Sequence, residues 1–272
     1  MRPGMLTRFL FCGSVFLWAG FGPPAMAADP VPLPRTHAHN DYEHPHPLRD
    51  ALEHGFCSVE ADIWLVDGKL LVAHNREQVK PERTLEGLYL EPLRERAKKN
   101  GGRIFAAEPR FWLLIDVKSE ADKVWPVLRE VLQNYADLLT QFEGEKIEQR
   151  AVTAVLSGNR PRELVAAQKV RLTAIDGVMA DLEANPSPAL VPWISENWNQ
   201  HFKWRGQGAF PVEEKNKLKQ IIERSHGQKR LVRFWGAPDK PPAWRELLEA
   251  GADLINSDDL EGLEKFLLEQ KK

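Results

Sequence analysis

Cysteine is almost missing from this 272-residue chain. Of its two, Cys12 falls in an N-terminal stretch expected to be removed, and Cys57 alone remains. One thiol makes no disulfide framework, so the core has to stabilise the protein unaided, and Cys57 reads as inert core. An excess of one charge is missing too: 37 basic residues face 39 acidic ones, a net charge of −2. With no Lys/Arg run, there is no electrostatic reason to expect a nucleic acid or an anionic membrane as partner. Low-complexity tracts are absent, and no glycine-rich phosphate turn follows the first expected strand, which argues against an open doubly wound sheet.

Only one long apolar run is present, Phe9 to Phe21, preceded by Arg2 and Arg8 and followed by Ala25-Met26-Ala27. This is the pattern of a secretory signal peptide cut near Ala27, so an exported, periplasmic or extracellular, protein is expected. Gly and Pro at 20–24 interrupt the run short of the ~20 residues of a membrane span, which weakens an uncleaved anchor as the alternative. Cys12 lacks the small residue that precedes a lipidated cysteine. Losing Arg2 and Arg8 takes the net charge from −2 to −4. No transmembrane segment is expected in the remaining chain, 28–272, which reads as a single domain.

Six of the eight histidines lie between His37 and His74. Around and beyond them strand and helix patterns alternate. Strands are expected at about 35–39, 56–66, 112–118, 151–156, 172–175, 192–195, 230–235 and 254–257. Helices fall at about 47–55, 84–99, 121–139, 162–168, 212–225, 243–250 and 260–269. Asp67-Gly68 turns the second strand into a hairpin that returns over Lys69 to His74. Eight parallel strands in one domain of this length fit a (β/α)8 TIM barrel.

Alternation within strands sorts the faces. Val59, Ala61 and Ile63 suit the helix-covered outside, which turns Glu60, Asp62 and Trp64 inward. Leu114, Asp116 and Lys118 face in on the third strand, and Arg233 and Trp235 on the seventh. Three inward carboxylates are costly to bury unpaired. Either Lys118 and Arg233 neutralise them in an ion-pair network, or a hard divalent cation does, Mg²⁺ or Ca²⁺ given oxygen ligands. His39, at the end of the first strand, and His74, at the end of the hairpin, are the proton-transfer candidates. His37 reads as buried and hydrogen-bonded, and His44, His46 and His54 as surface residues.

This order of residues resembles the PLC-like phosphodiesterase barrels, which include glycerophosphodiester phosphodiesterases and spider-venom sphingomyelinase D. The matching residues are His39, Glu60 with Asp62, His74, and Asp116 with Lys118. More closely, His37-Ala38-His39-Asn40-Asp41-Tyr42, Ser58 to Leu65, Arg233-Phe234-Trp235 and Asn256 to Leu260 resemble the altered inheritance of mitochondria protein 6 family. The resemblance implies a PLC-like barrel in which Glu60, Asp62 and Asp116 bind Mg²⁺ or Ca²⁺. It makes His39 and His74 general acid and base, and places Lys118 against phosphate. Two residues depart from the glycerophosphodiesterase pattern. Asn40 stands where an arginine is usual, with Arg233 as its possible substitute at the phosphate, and Asp116 stands where Glu is usual.

The expected activity is metal-dependent cleavage of a small-molecule or lipid phosphodiester, glycerophosphodiester or phospholipid-like, by a monomer. Asn40, Lys118, Arg233 and Trp235 are the substrate-binding candidates. Two rivals are a metal-dependent amidohydrolase, suggested by His37-Ala38-His39, and a non-catalytic barrel that binds a phosphate ligand. The first wants histidines on middle strands, where the chain has none.

Overall fold

The computed structural model describes residues 1, 30–108 and 110–270. Apart from Met1, the expected leader 1–27 lies outside the described residues. No helix among those described is long and apolar enough to cross a membrane.

Eight parallel strands close into a barrel: Thr36–Ala38, Ser58–Val66, Trp112–Val117, Thr153–Gly158, Thr173–Gly177, Trp193–Asn197, Leu231–Trp235 and Leu254–Ser257. Closure runs through the three-residue first strand. It pairs with the eighth over Thr36↔Ile255 to Ala38↔Ser257, and with the second at Ala38↔Val59. The expected barrel is therefore present, and its strands are the eight expected, with no end moved by more than two residues.

Strand alternation divides the interior in two. Val59, Ala61, Ile63, Leu113, Ile115, Val117, Val232 and Phe234 pack outward into the main core beneath the helices. The lumen holds a smaller apolar layer that includes Leu114, Val155, Ala174, Trp193 and Leu254. Trp193 is fully buried, stacked obliquely on Trp112 and edge-on to His37. An apolar floor thus seals the barrel below the first charged residues.

The outer helices differ more from expectation. The helix expected at 121–139 stops at Gln133, because Leu138 and Leu139 leave it to pack in the core and Leu139 bridges Val152. Apolar spacing alone does not distinguish those two arrangements. The helix expected at 84–99 opens with a π-helical turn, Glu86–Leu90, before Glu91–Lys99. The helix near 47–55 is reduced to Arg49–Glu53. Three elements had no clear sequence signal: the short helices Met179–Ala184 and Trp198–His201, and a three-stranded sheet of Gln141–Glu143, Lys146–Glu148 and Val170–Arg171. That sheet places Phe142 against the luminal apolar layer.

The hairpin after the second strand forms as expected. Asp67 and Gly68 both have positive φ, 49° and 75°, the geometry of a two-residue hairpin turn. It carries the chain back to His74.

Candidate functional site

The C-terminal ends of the strands open into one pocket of about 460 Å³. His39, Asn40, Glu60, His74, Asp116, Lys118, Arg233 and Trp235 all line it. Asp62, the remaining candidate, is fully buried in its floor. The second and third strands pair in a register that sets Asp62 opposite Asp116. Adjacent strands in register turn equivalent side chains to the same face, which is how residues 54 apart in sequence meet.

Each acid has its own partners. Glu60 Oε2 accepts from Arg233 (2.6 Å) and from His37 Nε2 (3.1 Å). A carboxylate only accepts, so His37 carries its proton on Nε2, and its Nδ1 accepts from the Ser58 hydroxyl at 2.7 Å. Burial lowers the His37 pKa to about 3, with Arg233 acting in the same direction, so the ring is neutral. Burial alone would raise Glu60, but Arg233 and His37 reverse that and hold it well below the carboxylate range.

Asp62 Oδ2 accepts from the Tyr42 hydroxyl (2.6 Å) and from Lys118 (2.9 Å). Its other oxygen, Oδ1, is buried with no hydrogen-bond partner. Burial and the charge of Glu60 push its pKa up to about 6. Asp116 accepts from Ser157 (2.9 Å) and pairs with Lys118 at 3.0 Å. Gly158 makes room for it: its φ is +62°, and a Cβ there would lie 2.4 Å from Asp116 Oδ1.

The ion-pair network considered from sequence is therefore present, with Lys118 between Asp62 and Asp116 and Arg233 on Glu60. It does not use up the acids. Glu60, Asp62 and Asp116 each offer an oxygen within 4.8 Å of the others, the makings of a metal site. Oxygen-only donors and a buried, unpartnered Asp62 Oδ1 fit a hard divalent cation.

The two candidate histidines stand on this same mouth. His39 Nδ1 is 2.8 Å from Asp258 Oδ1. Burial alone would lower the His39 pKa, but the Asp258 hydrogen bond and the charge of Glu60 outweigh it and raise it. His74 Nδ1 lies 3.1 Å from the Tyr42 hydroxyl and 3.4 Å from Asp62 Oδ2. Tyr42 thus ties His74 to the acid floor. Asn40, left-handed at φ 47°, lies 2.7 Å from the same hydroxyl through its Oδ1. Arg233 reaches the pocket, yet its guanidinium also donates to Asn256 (2.8 Å) and Ser195 (3.3 Å).

The surface histidines stay away from the pocket. His46 pairs with Asp50, and His54 with Glu264. Of the two later histidines, His201 meets Glu196, and His226 meets Asp253 at a helix end. Sequence reasoning missed Tyr42, Ser157, Arg160, Asp176, Ser195 and Asp258. Asp176 follows from the inward parity of Ala174, had the fifth strand been carried one residue beyond Ile175. Tyr42 lies in a single 3-10 turn, Asp41–Glu43, and Asp258 in a loop, and neither is long enough for periodicity to mark it.

A family model described as the AIM6-like phosphodiesterase domain matches residues 25–175, and one for the glycerophosphoryl diester phosphodiesterase family matches 232–261. Altered inheritance of mitochondria protein 6 from Eremothecium gossypii is 29% identical, over 96% of this chain and 77% of its own length. A homolog from Arthroderma benhamiae is also 29% identical, over 85% of this chain and 82% of its own. In three dimensions the chain resembles a glycerophosphodiester phosphodiesterase from Parabacteroides distasonis, with a TM-score of 0.54 at 13% identity, covering 90% and 99% of the two chains. A calcium-dependent phosphoinositol-specific phospholipase C from a Pseudomonas species gives 0.53 at 13% identity, covering 86% and 89%. Likeness at such low identity speaks for the fold alone. Matched by the first model over more than half its length, the chain belongs to the AIM6-like phosphodiesterase domain family.

Proposed function

We propose that this protein is a metal-dependent phosphodiesterase that cleaves a small-molecule or lipid phosphodiester with His39 and His74 as its proton-transfer pair. One observation carries this reading: three carboxylates converge within 4.8 Å at the barrel mouth, and both histidines line the pocket above them.

Glu60, Asp62 and Asp116 would hold the cation, Mg²⁺ or Ca²⁺. When bound, it supplies a positive charge that polarises the phosphoryl group and offsets charge developing on its oxygens. Lys118, held by Asp62 and Asp116, is placed to bind a non-bridging oxygen, with Asn40 and Trp235 around it. Arg233 fixes Glu60 and, from the pocket wall, adds positive potential. His39, whose raised pKa favours the charged ring, donates a proton to the departing alkoxide. His74 takes the proton of the attacking hydroxyl or water. Bond-making at phosphorus and bond-breaking to the alcohol then leave no net change in protons on the pair.

Hydrolysis of bis(p-nitrophenyl) phosphate with Mg²⁺ or Ca²⁺ tests the reading. We expect turnover that is lost with chelator and falls at least about 100-fold in His39→Ala or His74→Ala. Activity that survives either substitution would remove that histidine from the mechanism. Substrate identity is best read by phosphorus NMR on glycerophosphodiesters, lysophospholipids and phosphoinositides. We also propose export after cleavage near Ala27, which the mass of the secreted chain tests: a product still carrying residues 1–27 would contradict it.

A further inference from the structure

Two further side chains, Asn40 and Tyr42, join the candidate histidines to each other. The Tyr42 hydroxyl lies 2.6 Å from Asp62 Oδ2, 2.7 Å from Asn40 Oδ1 and 3.1 Å from His74 Nδ1. At its other end the Asn40 amide places Nδ2 3.4 Å from His39 Nδ1, which itself meets Asp258 at 2.8 Å. A line of hydrogen-bonding atoms thus runs from Asp258 through His39, Asn40 and Tyr42 to both Asp62 and His74.

Counting donors and acceptors along this line fixes where each proton sits. The Tyr42 hydroxyl has one proton and three neighbours. Burial and the charge of Asp62 raise its pKa, so it stays a phenol. A metal-binding Asp62 is a carboxylate, which only accepts, and the charged acceptor at the shortest distance takes the proton. The phenol oxygen then offers only lone pairs to His74 and Asn40, so both must donate to it. His74 therefore carries a proton on Nδ1, which leaves Nε2 as its open nitrogen.

The same count applies at the other end. The Asp258 carboxylate also only accepts, so His39 carries a proton on Nδ1. With Nδ2 toward His39, Asn40 sets two donors against each other, and with Oδ1 toward Tyr42 it sets two acceptors. A half-turn of the amide exchanges its two ends and removes both conflicts. The turn itself is anchored from behind. Arg83 donates to the Tyr42 carbonyl, and Asp41 accepts from the Leu48 amide (2.6 Å) and the Tyr89 hydroxyl (2.8 Å).

Resting on the phosphodiesterase reading above, we propose that Asn40 and Tyr42 are positioning residues that set the protons of both histidines. Asn40 accepts from His39 and donates to Tyr42, and Tyr42 holds His74 as the Nδ1–H tautomer with Nε2 free to act as the base. No proton travels along this line. The proton of the attacking hydroxyl or water goes to His74 Nε2, and protonated His39 gives up its own from Nε2 to the departing alkoxide.

Two measurements on the intact protein test this. The first is long-range ¹H–¹⁵N NMR of histidine-labelled protein at pH 8.5 without metal, with the His74 signals assigned by their loss in His74→Ala. We expect the His74 proton on Nδ1, and a substantial Nε2–H population in Tyr42→Phe. A purely Nδ1–H ring in Tyr42→Phe would assign the tautomer to Asp62, 3.4 Å away, and overturn the proposal. The second measures kcat and KM on bis(p-nitrophenyl) phosphate with Mg²⁺. Asn40→Asp keeps the shape but cannot donate to Tyr42, so kcat should fall about tenfold or more there, as in Tyr42→Phe. An unchanged kcat in Asn40→Asp, or a loss confined to KM, would overturn the role of Asn40. His74 as Nδ1–H with no diester hydrolysed would uphold the proton assignment and sink the phosphodiesterase reading. Hydrolysis by a parent protein whose His74 is Nε2–H would overturn the proposal and leave that reading standing.

Discussion

Asp62 has two unlike oxygens, one taken by Tyr42 and Lys118 and one without a partner. Burial beside Glu60 pushes its pKa up to about 6. A metal ligand must be deprotonated, so protons compete with the cation as pH falls through that value. Mg²⁺ affinity should hold between pH 8 and 7 and decline by up to about tenfold per unit below 6. Titration at pH 7.5 and 5.5 checks this, and equal affinities would take Asp62 out of the ligand set. His39 gives a second pH signature. Asp258 raises its pKa, so Asp258→Asn should lower it. If the ring must be protonated to act as the acid, the alkaline limb of the kcat/KM profile then moves to lower pH. An unmoved limb would assign the limb to another group. Arg233 is a stability test. It is buried against Glu60, and Arg233→Met leaves that carboxylate uncompensated at a cost of about 3–5 kcal/mol. Urea denaturation reads the difference.

At the scale of the element, the end of the fourth strand decides where the Asp116 carboxylate can sit. Gly158→Ala would put a methyl group 2.4 Å from Asp116 Oδ1, in a backbone conformation that L-residues resist. We expect a stability cost of about 1–3 kcal/mol together with weaker Mg²⁺ binding. Full metal affinity in this variant would show that Asp116 has slack. Strands and helices differ in how much of them the sequence disclosed. Glu60, Asp62, Asp116 and Arg233 sit in strands long enough for period-two alternation to show which way they point, and each faces as expected. Asp176 is the fourth residue of the strand Thr173–Gly177 and lies just past Ile175, where the apolar run that marks the strand in sequence stops. Tyr42 reaches Asp62 from the 3-10 turn Asp41–Glu43, and Asp258 reaches His39 from a loop, by contacts that only the folded chain creates. The sheet under the barrel was hidden for a related reason: strands of two and three residues are too short to carry a pattern.

Across the whole molecule, polar and apolar layers are stacked along the barrel axis. Trp193 fills the lumen directly under His37 and carries no chemistry itself. Trp193→Ala should destabilise the protein by about 3–5 kcal/mol. A much smaller loss in thermal unfolding would mean that the lumen collapses to refill the space. The barrel seam is less well made than this floor: the first strand has three residues and a single paired position with the second.

That seam bears on the order in which the molecule assembles. Glu60, Asp62 and Asp116 come from two neighbouring strands joined over six consecutive register positions, while Arg233 reaches Glu60 across 173 residues of chain. The acids are therefore gathered by comparatively local pairing, before the guanidinium that balances one of them can arrive. A half-built barrel would hold three carboxylates with too few counter-charges, and it would slow at that point. A divalent cation present during refolding would offset them early. Refolding from urea should then run faster with Mg²⁺ than with chelator, and in Glu60→Gln the two rates should draw together.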